Sequence, residues 1–412
     1  MSVRRRKLKI LLSAYACEPA RGSEPYVGWS WARHLAGFAE VTVLTRANNR
    51  AAIHRGHPRG LRFLYYDPPA FLLGWKRRGL PVTLFYLFWQ LGARWFVRRQ
   101  LPRFDLVQHL TFNSFKLPGF WWQHYPPTLL GPLGGGQTTS PYLLPLFGWQ
   151  APAEILRSFL VLLCRWNPLL WLSFRRAACI WTANLPTLRL AQQLGPTRTE
   201  LVLETGIEKL CPLRRGKKKD TPLRLVWAGR MAPGKGACLA IRILHGLLAR
   251  GSSWEVRLDM LGSGPDEAFL KNLAVHLGVA GQIDWHGWIP HDRMAAKLAQ
   301  ADIFLFTSAR DTSGNVLLEA MAAGLPSVVI CQHGAAEITT DQTSLRVVPQ
   351  PLPQLVTALT AATARLTCSA RLRKSMGTAA RGRVASHYLW SAKLRRLRPR
   401  YAALGGGTPA RA

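Results

Sequence analysis

The chain has 412 residues and a strong excess of base, 55 Lys and Arg against 21 Asp and Glu, for a formal net charge of +34. That balance excludes an acidic disordered protein and leaves three basic classes: a nucleic-acid binder, a membrane-surface protein, or an enzyme of polyanionic substrates. With 48% hydrophobic and 10% aromatic residues the chain can bury a sizeable core, and its length predicts two or three domains.

Met1–Lys7 carries the charge of a signal-peptide n-region, but the apolar stretch Ile10–Cys17 is short and interrupted by Ser13 and Tyr15. A buried first strand, Leu8–Ala14, is predicted there instead. Val41–Thr45, Leu61–Tyr65, Leu106–His109, Thr128–Leu130 and Cys179–Ala183 also read as buried strands of a parallel sheet. Helical segments such as Gly28–Ala39 lie between them, which is the alternation of a doubly wound α/β domain. The run Cys211–Pro222 is charged and bounded by Pro and Gly, the composition of an interdomain linker.

A second alternation follows. Strands are predicted at Leu223–Ala228, Val256–Leu261, Ile283–Trp285, Ile303–Phe306 and Ser327–Ile330. Helices are predicted at Ala237–Leu248, Asp266–His276, Asp292–Gln300 and Asn315–Ala323. The expected domains are 1–212 and 223–378, two Rossmann-like parallel-sheet domains with a cleft between, plus a basic C-terminal helix and tail, 379–412, able to cross back to the first. Ligands of such sheets bind outside the carboxyl ends of the strands. Ala379–Tyr401 reads as one helix with Trp390 as an anchor. No run of 18 or more apolar residues is present, so no membrane-spanning helix is expected. The seven cysteines, from Cys17 to Cys368, form no CxxC or Cys/His cluster, so neither a zinc site nor a disulfide framework is indicated, and reduced cytoplasmic thiols are expected.

The strongest chemical signal is the run from Phe306 to Val329. A strand ends at Phe306 and a polar loop carries Asp311. Gly314-Asn315-Val316 then open a helix whose first-turn amides and dipole make an anion site suited to a diphosphate. Glu319 lies about one turn further in, where a ribose diol can donate to it. A surface Glu on an amphipathic helix is the bland alternative. The run resembles the acidic pair of retaining GT-B glycosyltransferases of family 4 (group 1 glycosyl transferases), in which two acids are separated by seven residues. Here the pair is Asp311 and Glu319. Most members carry Glu at the first position, so Asp311, one methylene shorter, is a departure. The resemblance implies that the first acid contacts sugar hydroxyls and the second the nucleotide ribose.

The second signal is Trp227-Ala-Gly-Arg-Met-Ala-Pro-Gly-Lys-Gly, a strand running into a Gly-rich turn with Arg230 and Lys235. Arg230 can hold phosphate oxygens through its fork and Lys235 as a point charge. The spacing is not that of a Walker loop. It resembles the family's Gly-Arg…Lys-Gly element, which implies that both cations neutralise the leaving diphosphate. Leu261-Gly-Ser-Gly-Pro-Asp and Trp285-His-Gly-Trp-Ile-Pro stand where the family has a Gly-x-Gly-Pro turn and a base-binding strand end. The backbone of Gly287, Trp288 and Ile289 is then the implied nucleobase contact, with core packing equally open for Trp288.

The N-terminal half contains Ala14-Tyr-Ala-Cys-Glu-Pro-Ala-Arg-Gly-Ser-Glu-Pro-Tyr-Val-Gly-Trp, a loop with Gly22 before a helix starting near Val27-Gly28. Glycine there lets backbone approach a phosphate closely. The run resembles one bacterial subgroup of family 4, as do Asp105-Leu-Val-Gln-His-Leu-Thr-Phe and Gly131-Pro-Leu-Gly-Gly-Gly. Glu204-Thr-Gly-Ile stands where members carry an Asn-Gly-Ile-like segment. His109 matches a histidine that the family places beside the donor sugar; a satisfied core histidine is the alternative. Glu24 either orients the Gly22–Gly28 loop or, with Gly134 and Gly135, faces the acceptor.

No Asp-x-Asp metal motif occurs, and no metal or cofactor is expected; Arg230, Lys235 and helix amides would offset the diphosphate charge. The resemblance implies a hexosyltransferase-type enzyme that retains anomeric configuration and takes a nucleoside-diphosphate sugar. Between Asp67 and Glu200 only two acids stand against fourteen Lys and Arg, and nine of the sixteen tryptophans fall in the same stretch. No acid follows Asp341. Such mixing of rings and cations suits an anionic membrane surface. It predicts a cytoplasmic protein, peripheral on the inner face of the membrane, with a lipid-linked, lipopolysaccharide or polysaccharide acceptor. The rivals are a non-catalytic GT-B scaffold and a nucleic-acid binder; no helix-turn-helix, zinc-finger, RNP or KH pattern supports the latter. A Rossmann dehydrogenase is disfavoured by the lack of a first-strand GxGxxG.

Overall fold

The structure, a computed structural model, describes residues 6–19, 24–56, 59–79, 81–110, 112, 114–122, 125–195, 198–211, 222–251 and 255–406. The chain divides into two compact units. The first takes the chain up to Gly136, Val161–Glu204 and the residues from Lys393 onward; the second takes Gln137–Leu160 and Thr205–Ala392.

In the first unit the elements run β1 (Leu8–Ala14), α1 (Glu24–Leu35), β2 (Ala39–Thr45), α2 (Arg50–Arg55), β3 (Leu61–Tyr65), α3 (Ala70–Arg77), α4 (Val82–Val97), β4 (Leu106–Leu110) and β5 (Thr128–Leu133). After α5 (Ala151–Leu163), within which the boundary between units falls, come α6 (Pro168–Arg176), β6 (Cys179–Thr182), α7 (Leu185–Gln193) and β7 (Thr199–Leu201). The seven strands form one sheet in the order β3-β2-β1-β4-β5-β6-β7. Every pairing is parallel. Fully apolar β1 residues such as Ile10, Leu11 and Leu12 have no exposed surface, as a strand covered on both faces requires.

The second unit runs β8 (Leu223–Ala228), α8 (Ala237–Leu248), β9 (Val256–Leu261), α9 (Glu267–His276), β10 (Ile283–Gly287), α10 (His291–Leu298), β11 (Ile303–Phe306), α11 (Asn315–Ala322), β12 (Ser327–Ile330), α12 (His333–Ile338), β13 (Ser344–Val347), α13 (Leu352–Cys368) and α14 (Ala370–Arg383). Its six strands are ordered β10-β9-β8-β11-β12-β13 and again all pairs are parallel. Both sheets therefore reverse strand order beside their first strand: at β1/β4 in one and at β8/β11 in the other. That reversal is where a doubly wound sheet opens a crevice for ligands.

Several elements differ from the sequence expectation. The first helix starts at Glu24, so Gly28 lies in its second turn. A short β7 and a sixth C-terminal strand, β13, extend the sheets. The predicted helix 379–401 is broken: α14 ends at Arg383, a π-turn spans Val384–Tyr388, and α15 (Trp390–Gly405) begins anew. Buried Trp390 anchors that start, its amide donating to Ile207 O at 3.0 Å. From Lys393 on, α15 joins the first unit, where buried Tyr401 donates to Gln108 Oε1 on β4 at 2.6 Å. The segment 137–160 belongs with the second unit, not with 1–212, because Leu143 and Phe147 enter that unit's core. The predicted linker lies, apart from its end residues Cys211 and Pro222, outside the described residues.

The run Pro141–Trp166 is long and apolar enough to cross a membrane by length and composition, contrary to the sequence expectation. It is kinked at Gly148, whose backbone (φ 51°, ψ −129°) is not helical, so the regular helix within it is the 13-residue α5. Apolar residues also face outward elsewhere. On α4, Phe85, Trp89, Ala93 and Val97 are buried, while Leu84, Phe88, Leu91 and Trp95 form an exposed stripe on the opposite face.

Candidate active site

The site is built at the β8/β11 reversal of the second unit. Strand β8 ends in the turn Gly229–Gly236, and Gly234 and Gly236 take left-handed backbone at φ 78° and 69°. A Cβ on Gly236 would stand 2.1 Å from the Thr307 carbonyl oxygen, so only glycine lets the turn lie against the end of β11. Buried Thr307 locks that contact: its hydroxyl donates to Gly236 O at 2.7 Å and accepts from Trp227 Nε1 at 3.0 Å. A second glycine pair laces this turn to the one after β9. Hypothetical Cβ atoms on Gly262 and Gly264 would meet the carbonyl oxygens of Gly229 at 1.9 Å and Met231 at 2.2 Å.

This scaffold places two helix N-termini side by side at neighbouring strand ends. Gly236 caps α8 and Gly314 caps α11, both in left-handed conformation. The amides of Asn315 and Val316 open α11 and, by helix geometry, lack an intrahelical acceptor. Lys235 and Asp311 meet across the reversal, Nζ to Oδ2 at 2.7 Å. The other Asp311 oxygen accepts from the Gly314 amide at 3.2 Å. Arg230 is exposed and pairs with no carboxylate among the described residues. A partly exposed ammonium and two positive helix ends therefore meet at the reversal, and exposed Arg230 belongs to the same turn.

Glu319 lies mostly buried in the second turn of α11, and burial raises its pKa against the lowering pull of His291. His291 Nδ1 stands 3.6 Å from its Oε1. His291 opens α10 directly after the loop Gly287–Pro290, so the expected ribose acid and base loop sit on neighbouring elements. Gly287 is left-handed at φ 64°, its carbonyl accepting from Gly262 N at 2.7 Å. Trp288 is 73% exposed, which excludes the core-packing alternative and leaves an indole face open to a planar ligand.

Sequence reasoning missed a supporting cluster in the same unit. Glu154 on α5, 4% exposed as a side chain, binds Arg157, Thr139 and Arg310, the residue before Asp311. Burial pulls its carboxyl up, but the hydrogen bonds from Arg157 and Thr139 and the Arg310 charge hold it below the usual range. Gln137 Nε2 donates to Thr312 Oγ1 at 3.0 Å, fixing the same loop. The available signal was that Glu154 is the sole acid between Asp105 and Glu200. His333 was also not singled out. It has φ 48°, rare for a non-glycine residue, and burial pushes its pKa down to about 4.

The other sequence candidates lie in the first unit. His109 on β4 has no exposed surface. Its Nδ1 is 3.0 Å from Ser13 Oγ and its Nε2 is 3.2 Å from Gln90 Nε2 and 3.4 Å from Tyr86 Oη. Burial drops its pKa to about 3, so it is neutral, and it offers no ring nitrogen to a ligand in this conformation. Gly28 is buried, and its missing Cβ admits the Ala16 carbonyl oxygen, which would lie 2.1 Å away. The close approach it permits is thus to the chain's own backbone. Glu24, in the first turn of α1, has its pKa raised to about 8 by burial and by Glu204. Gly134 is buried and accepts from Phe115 N at 2.8 Å; Gly135 is half-buried at φ 84°. Gly22 lies outside the described residues.

Two parallel-sheet units with these reversals define the GT-B fold, and solved structures agree. Anabaena HepE in complex with UDP superposes with TM-score 0.59 at 14% identity, covering 96% of this chain and 100% of that one. Sucrose-phosphate synthase from Thermosynechococcus elongatus gives 0.65 at 16%, covering 98% and 100%. WaaG, a glycosyltransferase involved in lipopolysaccharide biosynthesis, gives 0.56 at 16%, covering 97% and 100%. Within that fold, residues 222–367 match the family described as Glycosyl transferases group 1, so the second unit carries a glycosyltransferase domain. The chain is 31% identical over 159 residues to the putative colanic acid biosynthesis glycosyltransferase WcaL of Salmonella typhimurium, 37% of this chain and 39% of that protein. It is 32% identical over 167 residues to the lipopolysaccharide core biosynthesis glycosyltransferase LpsE of Rhizobium meliloti, 39% and 46% respectively. The matched segments span less than half the length of these curated relatives.

Proposed function

We propose that the protein is a retaining glycosyltransferase of family 4, metal-independent, that moves a sugar from a nucleoside-diphosphate sugar to a lipid-linked, lipopolysaccharide or polysaccharide acceptor at a membrane surface. The observation that carries this reading is the junction of two glycine-capped helix N-termini with Lys235 and Asp311 at the β8/β11 reversal. Diphosphate oxygens settle on the amides of Asn315 and Val316, with Arg230 and Lys235 supplying the positive charge. Glu319 accepts from the ribose diol, and Trp288 covers the base while the Gly287 and Ile289 backbone fixes its edge. Asp311 orients Lys235 in the resting site and contacts the donor sugar in the loaded one.

As the sugar–phosphate bond loosens toward an oxocarbenium-like state, negative charge grows on the departing diphosphate. Donors fixed before the reaction stabilise that charge more than they stabilise the ground state, which lowers the barrier. The acceptor hydroxyl attacks from the same face and its proton passes to the leaving phosphate. UDP in HepE and the polysaccharide or lipopolysaccharide roles named for WcaL and LpsE support the substrate classes. The exposed apolar stripe on α4, within a stretch free of acids from residue 68 to 104, supports peripheral attachment to the inner face of the cytoplasmic membrane. A thermal-shift panel of nucleotide sugars tests the reading. The cognate donor raises Tm by mass action, and no shift with any member would count against it.

A further inference from the structure

The turn between α5 and α6 carries two arginine–tryptophan pairs beside a cavity. A cavity of about 460 Å³ opens there, lined by Arg165, Trp166, Pro168, Trp171, Leu172 and Arg175. Each arginine lies over an indole: Arg165 above Trp166 and Arg175 above Trp171, both 4.1 Å from the ring centroid. The rings hold the guanidinium planes by cation–π attraction while leaving their N–H edges available. Among the described residues no carboxylate pairs with either arginine. Residues 155–199 contain six arginines and no acid, and Arg157 and Arg198 find their carboxylates in Glu154 and Glu200 just outside it.

The cradle is also built to keep its shape. Asn167 caps α6, its side chain accepting from Leu169 N at 2.9 Å, and Pro168 occupies the first helical position. Trp171 Nε1 donates to Arg165 O at 3.1 Å, tying one side of the cavity to the other. Around the cavity stand exposed apolar side chains, Leu162, Leu163 and Leu169, with Trp166 at 64% exposure. In water such a patch is unfavourable; beside acyl chains it is stabilising, and the paired arginines then lie at headgroup depth.

We infer that this arginine–tryptophan cradle binds the anionic phosphate headgroup of a membrane lipid. Leu162, Leu163 and Leu169 enter the acyl boundary beside it. Charge complementarity selects the occupant: two unpaired cations at the rim of an apolar face match an anion carried on an apolar body. The inference rests on the membrane attachment proposed above and locates its headgroup-recognising element.

The test is vesicle co-flotation of the full chain at low salt, using phosphatidylcholine vesicles with and without phosphatidylglycerol. Wild type, an Arg165→Gln/Arg175→Gln variant and a charge-matched Arg62→Gln/Arg189→Gln control are compared. The cradle variant is expected to bind anionic vesicles at least about tenfold more weakly than the control. Equal weakening in both variants would reduce the cradle to ordinary surface charge and overturn the site while leaving attachment intact. Equal wild-type binding to both vesicle types would likewise overturn an anionic-headgroup site. Wild type that floats with neither would instead remove the attachment reading beneath it. Sedimentation without lipid covers the remaining occupant. A dimer dissolved by the cradle substitutions would assign this face to a second copy and overturn the proposal.

Discussion

The two strand-order reversals of this molecule share a topology and differ in almost everything else. At β8/β11 the chain exposes an ion pair, an exposed arginine and two glycine-capped helix ends. At β1/β4 the register sets Ser13 opposite His109, and the pair is sealed among Tyr86, Gln90 and Trp121. Topology offers a crevice at both places, but local side chains decide whether it becomes a polar site or is filled as core. Glycine makes the difference at the first. Three glycines, at 236, 262 and 264, let backbone approach backbone, and Gly234 leaves room for the Phe147 ring, so the loops lie close on one another.

The largest effect that would break this contrast is on turnover. Lys235→Ala and Glu319→Ala are each expected to lower sugar transfer by about 10²–10³-fold with Tm nearly unchanged. Near-wild-type rates in either would remove the β8/β11 reversal from the chemistry. His109→Gln sharpens the same contrast. It should leave nucleotide binding intact while altering stability in acid. The folded pKa of His109, about 3, lies below its ordinary value, so its contribution to stability is present above about pH 6.5 and is lost as pH falls toward 3. Thermal melts between pH 7 and 4 read this directly.

Next in size is Gly236→Ala. A side chain at φ 69° facing the Thr307 carbonyl oxygen at 2.1 Å should destabilise the second unit by on the order of 2–3 kcal/mol. Denaturant unfolding would detect it. Trp288→Ala should weaken donor binding by about tenfold, the scale of one base–aromatic stack, with kcat little changed. An unchanged KM would return Trp288 to bare surface.

The smallest effect concerns Glu24. Its folded pKa, about 8, is raised above the ordinary carboxylate value, so its stability contribution is full below about pH 4.5 and is lost as pH rises through 8. Glu24→Gln should therefore gain a few degrees of Tm over wild type between pH 5 and 8.5, and less at pH 4.5. A gain independent of pH would place the effect elsewhere.

Most of the sheet architecture was legible because parallel strands buried on both faces announce themselves as short apolar runs. Leu223–Ala228, Val256–Leu261 and Ile303–Phe306 fall at the predicted bounds. The meeting of Lys235 with Asp311 was foreshadowed because both stand in glycine-bearing loops directly after predicted strands, β8 and β11, which pair as neighbours in the sheet. Tertiary placement was not. Nothing local to Glu154 says that it neutralises Arg310, a partner 156 residues away. Nothing in Pro141–Phe147 says which core takes Leu143 and Phe147. The burial that silences His109 comes from helix α4 and from Trp121, and a strand-end position alone cannot reveal it. The break after Arg383 escaped for the same reason: the basic, helix-forming composition continues, while buried Trp390 sets the new start.

On the function proposed above, the β8/β11 reversal binds a nucleoside diphosphate through Arg230, Lys235 and the α11 amides. Isothermal titration of the full chain with UDP and GDP tests it most directly. Saturable binding of one nucleotide by wild type, weakened at least about tenfold in Lys235→Ala and unchanged in His109→Gln, is the predicted result. Equal binding by wild type and Lys235→Ala, or loss confined to His109→Gln, would contradict it.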